Sequence, residues 1–306
     1  MILRTKILAI LIFFTAGIFA QDMSVISLFD QNLIYYNPGA TGSQEVFTAS
    51  FFYRNQWTGM DGAPSTQFFS MQSPLKNTKD ALGLTISHES IGSNNTIEGY
   101  ANYGHRFIVG PGKISLGLKM GFFHGSQRMS DLREDDDPLF NSDRNGTFTI
   151  FNAGFGALFY TDLCWISFSV PRFFWFESDP SGKYKTTHEF LYYEYYFGGG
   201  RKFALPAEFT IEPSVLMAYS AASPFKFSIN AIAMYKNSIR AGVGFRNGYG
   251  QAIVLHLGYN INRQFSLAYS YDFNVGELSG YGSGSHEINI LYKFGYKVTA
   301  SNPRGF

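Results

Sequence analysis

The sequence has little charge, a single cysteine and no long apolar run after its first twenty residues. Charged residues make up 15% of the chain, whereas a soluble domain usually carries about 25%. No stretch after residue 20 contains eighteen consecutive apolar residues, which argues against membrane-spanning helices. The net charge is +1 and the chain has no basic patch, so it lacks the positive electrostatic potential that attracts nucleic acid. We therefore expect no nucleic-acid partner. Cys164 has no disulfide partner within the chain.

Aromatic residues and glycine are abundant instead. The chain contains 32 Phe, 20 Tyr and 32 Gly, and its mean hydropathy is close to zero. Membrane strands combine these features because only every second side chain faces lipid, which keeps the average hydropathy low. The composition therefore favours an exported β-barrel of the outer membrane over a soluble protein.

The first twenty residues have the layout of a secretory signal peptide. Arg4 and Lys6 precede an apolar run at 7–14, and the small residue Ala20 ends the segment. This run is shorter than the ~20 residues that a spanning helix needs, which argues against the alternative of an N-terminal membrane anchor. We therefore expect residues 1–20 to be removed, so that the mature chain begins at Gln21.

From residue 46 onward, polar and apolar residues alternate in about fourteen segments that turn-forming residues separate. A soluble sandwich also alternates, but its strands usually run only about five or six residues. We therefore predict an all-β fold, a transmembrane antiparallel β-barrel of about 14 strands over residues 46–306. The predicted strands are 46–54, 65–73, 81–89, 95–107, 112–124, 147–160, 163–170, 187–200, 207–219, 224–235, 238–247, 250–260, 263–274 and 284–297.

The connections between these segments alternate between short and long. The long ones, at 125–146 and 171–186, fall on one side, and short ones such as 161–162 and 236–237 fall on the other. Membrane barrels have short turns at the periplasmic end and longer loops outside. An even number of strands also predicts that both termini lie in the periplasm.

Side chains on the polar faces carry charges of both signs. Such a set can pair across a narrow barrel, so it predicts an occupied lumen, with a wide aqueous porin as the alternative. A one-residue slip in register would reverse each assignment. The charged residues assigned to the lumen are Glu89, Lys119, Glu208, Glu212, Arg240, Arg246, Asp272, Glu287 and Lys293.

Residues 21–45, which precede the first strand, are too apolar for a free tail. We predict that this segment either plugs the periplasmic mouth of the barrel or binds a periplasmic partner. The residues predicted to make these contacts are Phe29, Tyr35, Tyr36, Asn37 and Pro38.

Residues with catalytic or metal-binding potential are scattered. The six histidines stand singly, and no nucleophile elbow, phosphate-binding loop or zinc-binding helix motif is present. We therefore expect no catalysis, no cofactor and no metal, with a membrane hydrolase as the enzymatic alternative. The acidic stretch 131–146 mimics the opening of a calcium loop, but Asn152 stands where such a loop needs a bidentate Glu, which favours a solvated loop.

An ordered series of short motifs runs through the chain. In this series the chain resembles the PorP/SprF family of the type IX secretion system, over essentially the whole mature sequence. The most specific string lies at 54–64, where Arg-Asn-Gln-Trp is followed by Gly59 and by Gly-Ala-Pro. The other matching pieces are Tyr-Asn-Pro-Gly-Ala-Thr-Gly at 36–42, Ser-Pro-Leu at 73–75, Leu-Gly-Leu at 82–84, Ile-Gly at 91–92, Ser-Leu-Gly-Leu-Lys at 115–119 and Asn-Pro-Arg-Gly-Phe at 302–306.

The resemblance implies a binding function. Members of this family are outer-membrane barrels; some belong to the secretion and gliding machinery, and others capture the C-terminal domain of a secreted adhesin. The implied partners are such a domain or another type IX substrate, periplasmic lipoprotein or peptidoglycan-linked components, and outer-membrane lipid. The alternative is an outer-membrane channel or hydrophobic-compound transporter, which needs a continuous lumen.

The string at 54–64 would form the first outer loop. Its guanidinium, amides and indole are groups that grip peptide and aromatic partners. In the alternative interpretation, Trp57 belongs to the interfacial aromatic belt and Arg54 pairs with a lumen carboxylate. The candidate partner-binding residues are Arg54, Asn55, Gln56, Trp57 and Pro64.

Overall fold

A computed structural model of the chain describes residues 23–24, 26–76, 78–127, 146–178, 184–187, 190–248, 250–276, 279 and 282–294. The predicted signal peptide, the motif at 302–306 and the acidic run at 131–145 lie outside these residues. Within the described ranges, no helix is both long enough and apolar enough to cross a membrane.

The described residues form seventeen strands, one helical turn and two short 3-10 turns. The helical turn α1 (Leu33–Tyr36) and the 3-10 turn Pro38–Ala40 precede the first strand, and the second 3-10 turn is Phe190–Tyr192. The strands are β1 (Phe47–Asn55), β2 (Ser65–Pro74), β3 (Asp80–Ile91), β4 (Asn94–Val109), β5 (Gly112–Gln127), β6 (Gly146–Tyr160), β7 (Cys164–Val170), β8 (Trp175–Ser178), β9 (Tyr184–Thr187), β10 (Tyr195–Arg201), β11 (Phe203–Leu205), β12 (Phe209–Ser220), β13 (Ser223–Tyr235), β14 (Ile239–Asn247), β15 (Gln251–Asn260), β16 (Phe265–Val275) and β17 (Ser285–Phe294).

Fourteen of these strands close into one antiparallel ring. Each pairs with its neighbour along the chain, β10 joins β7 to β12, and β17 returns to pair with β1 from Phe47↔Phe294 to Asn55↔His286. The short strands β8, β9 and β11 lie outside the ring order. A closed ring leaves no unpaired edge, which is what an apolar bilayer requires of a β-structure. The predicted barrel of about 14 strands is confirmed.

The two faces of the ring differ in polarity. On β5, Leu116, Leu118 and Met120 are exposed on the outside, whereas Gly117 and Lys119 between them are buried inside. The same alternation gives β16 and β17 an apolar outer face and a buried polar inner face. The outer surface is therefore an apolar belt suited to lipid, and the inner surface combines buried charged and polar side chains with an apolar cluster.

Two predictions drawn from strand periodicity are wrong. The eighth ring strand begins at Tyr195 rather than 187. Residues 184–187 instead pair with β8 in a separate hairpin, and Glu194 turns inward to bind Lys226, 2.8 Å away. Glu208 does not face the lumen. It lies in the exposed turn before β12, 3.9 Å from Lys236.

The described part of the N-terminal segment runs inside the barrel. We call the barrel end with the longer connections the loop end and the opposite end the turn end. The Met23 amide donates to Glu194 at the loop end (3.2 Å), and Glu45 pairs with Lys113 at the turn end. The first described residue thus lies toward the loop end, whereas both chain termini, which were predicted to lie in the periplasm, are outside the described residues. The apolar side chains of the segment pack against apolar side chains of the inner wall, such as Phe52 on β1. Removing both surfaces from water favours the segment's position in the lumen.

Candidate functional site

A buried ionic cluster lies in the lumen near the loop end. Arg54 and Glu287 are register partners on β1 and β17, and their side chains form an ion pair. Asp272 accepts from both Arg54 and Arg246, each at 2.9 Å. All four side chains are at most 2% exposed. Two positive and two negative charges balance here, which is the condition for burying charge without a large penalty.

This cluster holds the N-terminal segment by its main chain. The amides of Ser27 and Leu28 donate to the two carboxylate oxygens of Glu287, at 2.8 and 2.9 Å. The Ser27 hydroxyl donates to Asp272 at 2.9 Å, and the Ser27 carbonyl accepts from Asn230 at 2.9 Å. The two carboxylates therefore neutralise the charges of Arg54 and Arg246 and also bind residues 27 and 28 of the segment.

Further contacts hold the segment along its path to the turn end. Asp30 pairs with Arg240 at 2.6 Å. The Gly42 carbonyl accepts from Arg106 at 2.8 Å, and the Gly42 amide donates to Gln72 at 2.6 Å. The segment is thus bonded to the wall at both ends and near its middle.

Three glycines on the inner wall receive the middle of the segment. Gly104, Gly117 and Gly156 are direct register partners on β4, β5 and β6, and we call them the glycine row. A Cβ on Gly117 would overlap the main chain of Pro38, and one on Gly104 would lie 2.7 Å from the Thr41 carbonyl oxygen. The wall lacks side chains at the place where the segment's main chain touches it.

Aromatic and amide side chains fix the same part of the segment. Tyr35 meets Phe68 edge-on with ring centroids 4.9 Å apart, and Tyr36 lies 5.0 Å from Tyr196. The Tyr36 hydroxyl donates to the Ser24 carbonyl at 2.9 Å. The Asn37 amide donates to the Ala157 carbonyl at 3.0 Å.

All five residues predicted to plug the barrel or to contact a periplasmic partner lie inside the barrel. Phe29, Tyr35, Tyr36, Asn37 and Pro38 are buried. Three of them are aromatic, which matches the apolar composition that singled them out.

A second segment, 171–175, folds into the lumen from the loop end. Arg172 is 4% exposed and forms an ion pair with Glu98 on β4. Burial alone would lower the pKa of Arg172, but the Glu98 carboxylate raises it above its ordinary value, so the guanidinium keeps its charge. The Phe173 amide donates to the Ala153 carbonyl at 2.9 Å. Sequence reasoning missed this segment; the signal was a lone arginine in an otherwise aromatic stretch directly after a strand.

The first outer loop is fastened to the barrel. Arg54 is fully buried and bound to lumen carboxylates, as in the alternative interpretation of the sequence. Gln56 and Pro64 are also buried, and the Gln56 amide donates to the Pro64 carbonyl at 2.9 Å. Asn55 and Trp57 are half-buried, so of the five candidates they alone keep substantial exposed surface. A partner contact at this loop stays a prediction.

Within the described ranges, no group of three or more His, Cys, Asp or Glu side chains is placed to hold a metal ion. Among the histidines, His256 shares a hydrogen bond with Asn230 (3.2 Å) and His124 one with Thr149 (2.7 Å). The acidic run proposed as a solvated loop or calcium site lies outside the described residues.

A closed ring of fourteen antiparallel strands with an apolar outer belt and buried charged side chains inside defines an outer-membrane β-barrel protein. Residues 18–292 match the family model described as type IX secretion system membrane protein PorP/SprF, and the chain belongs to this family of the outer membrane. The resemblance found in the sequence motifs is confirmed.

The fold is shared with solved outer-membrane proteins of low sequence identity. The chain is similar to the toluene transporter TbuX of Ralstonia pickettii, with a TM-score of 0.54, 8% identity, and coverage of 86% of this chain and 93% of that one. It is also similar to the CymD monoaromatic hydrocarbon channel, with a TM-score of 0.51, 11% identity, and coverage of 90% and 95%. At these identities the likeness concerns the fold alone. None of the curated protein sequences is similar enough to the chain to identify a relative.

We expect Arg54→Ala to destabilise the folded barrel by about 3–5 kcal/mol, because it leaves buried carboxylates without their partner. Urea titration in lipid vesicles, followed by tryptophan fluorescence, measures the loss. The control is Lys236→Ala, which removes an exposed ion pair with Glu208 and should cost less than about 1 kcal/mol. Equal effects of the two substitutions would contradict the structural role of the cluster.

We expect Gly117→Ala to displace the N-terminal segment, because the new Cβ overlaps the main chain of Pro38. A strained contact of this kind costs about 1–3 kcal/mol. The measurement is ion current across a planar bilayer, which should rise above the wild-type level as the lumen opens. In the matched control, Gly199→Ala, the nearest atom is the Trp165 carbonyl oxygen at 3.5 Å, so the current should not change.

Proposed function

We propose that this barrel binds a secreted surface protein at its loop end and anchors it or helps its export by the type IX system. The client is an adhesin C-terminal domain or another type IX substrate, and binding rather than catalysis is the activity. Family membership supports the secretion role. The observation that carries the choice of binding over diffusion is the occupied lumen. Residues 26–45 enter it from the turn end, and residues 171–175 enter it from the loop end.

Aromatic side chains at the loop end support a client-binding surface. Trp57 is half-exposed in the first outer loop, and Phe190 is 77% exposed in the second 3-10 turn, 5.2 Å from the ring of Tyr193. Large aromatic side chains are the usual anchors of protein interfaces. Partners on the opposite side of the membrane, such as a periplasmic lipoprotein or a peptidoglycan-linked component, would meet the turn end instead.

Deleting the gene should leave the cognate adhesin unassembled on the cell surface, as measured by surface labelling of type IX substrates. Trp57→Ala and Phe190→Ala should each weaken retention of the client by about tenfold, the loss expected for an interface anchor. Phe203→Ala, at the turn end, is the control and should have no effect. Unchanged display of every type IX substrate after deletion would overturn the proposal.

The alternative function is an outer-membrane channel or hydrophobic-compound transporter, which the names of the two similar structures suggest. Such a protein needs a continuous path, whereas buried ion pairs and apolar contacts cross this lumen. Purified wild-type protein in a planar bilayer should therefore pass little steady current. Large, stable conductance steps would favour the channel.

A further inference from the structure

We propose that the lumen is a binding site for a polypeptide segment, and that residues 26–45 occupy it as a stand-in that a segment of the secreted client replaces. This inference rests on the proposed function and names the part of the client that is recognised. Three features of the wall and one feature of the segment carry it.

The wall is shaped for a main chain. The glycine row continues in register on both sides with small residues, Ala81 on β3 and Ser169 on β7, so five adjacent strands present a shallow groove. The segment lies in this groove closer than a Cβ would allow. Every polypeptide has a main chain, so this part of the fit is open to a segment of another protein.

The polar groups of the wall also address the main chain. Glu287 accepts from two successive amides of the segment, Arg106 donates to the carbonyl of Gly42, and Ser169 donates to the carbonyl of Tyr36 at 2.9 Å. Glu194, Asn230 and Gln72 contact further amides or carbonyls of the segment. Seven wall-to-main-chain hydrogen bonds, from Met23 to Gly42, thus follow a chain through the barrel.

Side-chain contacts define what the replacing segment must carry. Arg240 selects an acidic residue at the position of Asp30, and Phe68 and Tyr196 receive the aromatic pair at 35–36. The glycine row then admits only a turn of small residues, where this chain has Pro38–Ala40. The client segment is therefore an acid, then two aromatics about five residues later, then small turn-forming residues.

The segment itself is built to be exchanged. Its described residues form one helical turn and one 3-10 turn, and no strand of the ring includes them. Its covalent link to the ring is at β1, near the turn end, whereas at the loop end Ser24 and Ser27 are held only by hydrogen bonds to side chains of the wall. A client that arrives at the loop end meets the part of the segment that can leave first.

Binding of a labelled synthetic peptide with the sequence of residues 26–42 tests the proposal in detergent-solubilised full-length protein. The barrel used carries Asp30→Ala and Asn37→Ala, which weaken the resident segment and leave the wall intact. We expect the peptide to bind this barrel at least tenfold more tightly than the wild-type barrel, and Arg240→Ala to remove that gain. Equal binding of a scrambled peptide, or no binding to the weakened barrel, would overturn the proposal.

A disulfide lock tests whether the peptide takes the place of the segment. The hydroxyl oxygens of Ser24 and Thr66 are 3.0 Å apart, so S24C/T66C, in a chain with Cys164→Ser, ties the segment to β2. Oxidation should abolish peptide binding, and a thiol reductant should restore it. The matched control S70C/T85C joins register partners on β2 and β3 without tying the segment, and should bind in both redox states.

The same lock separates this inference from the proposed function. If the oxidised S24C/T66C protein still retains a client that gene deletion releases, the client binds outside the lumen; the inference then fails and the proposed function stands. If deletion has no effect on any client, the proposed function fails. Peptide binding that survives the oxidised lock would overturn the inference alone.

Discussion

The structure depends on one constraint: a backbone inside a bilayer must satisfy its own hydrogen bonds. Strands meet it by pairing around a complete ring, which here closes through β1 and β17. Closure sends alternate side chains to lipid and to the lumen, so the polar half of every strand becomes an interior. Unpaired charges would be costly in so narrow an interior. The buried charges here form ion pairs among Arg54, Arg246, Asp272 and Glu287.

Much of this architecture could be predicted from the sequence because a membrane strand alternates with a period of two. The predicted strand 112–124 alternates between exposed and buried residues, and Lys119, Arg246 and Asp272 lie in the lumen as predicted. Periodicity did not predict where β10 begins. Glu194 precedes this strand and turns inward to bind Lys226, and a contact with a residue so distant in sequence produces no local pattern. The prediction for Glu208 is wrong for a related reason. The polar–apolar alternation continues into the turn before β12, but the residues of that turn are not part of the barrel wall.

The candidate site was less predictable because it is made by chain segments that meet only in three dimensions. Composition showed that Phe29, Tyr35 and Tyr36 had to be covered, but it carried no information on direction, and the segment runs the length of the lumen. A glycine in a strand is uninformative by itself. Gly117 gains its meaning from register with Gly104 and Gly156 and from the main chain that lies across them. Arg172 likewise acquires a role only when its loop folds inward to Glu98.

Arg54 and Glu287 have a topological consequence beyond electrostatics. They face each other across the seam where the first and last strands of the ring meet, and Glu287 also binds the amides of residues 27 and 28. Pairing β1 with β17 brings together chain positions separated by almost the whole barrel, and it is the longest loop closure among the described strand pairings. Because Glu287 belongs to this strand pairing and also binds the internal segment, closure of the ring and enclosure of the segment are energetically coupled.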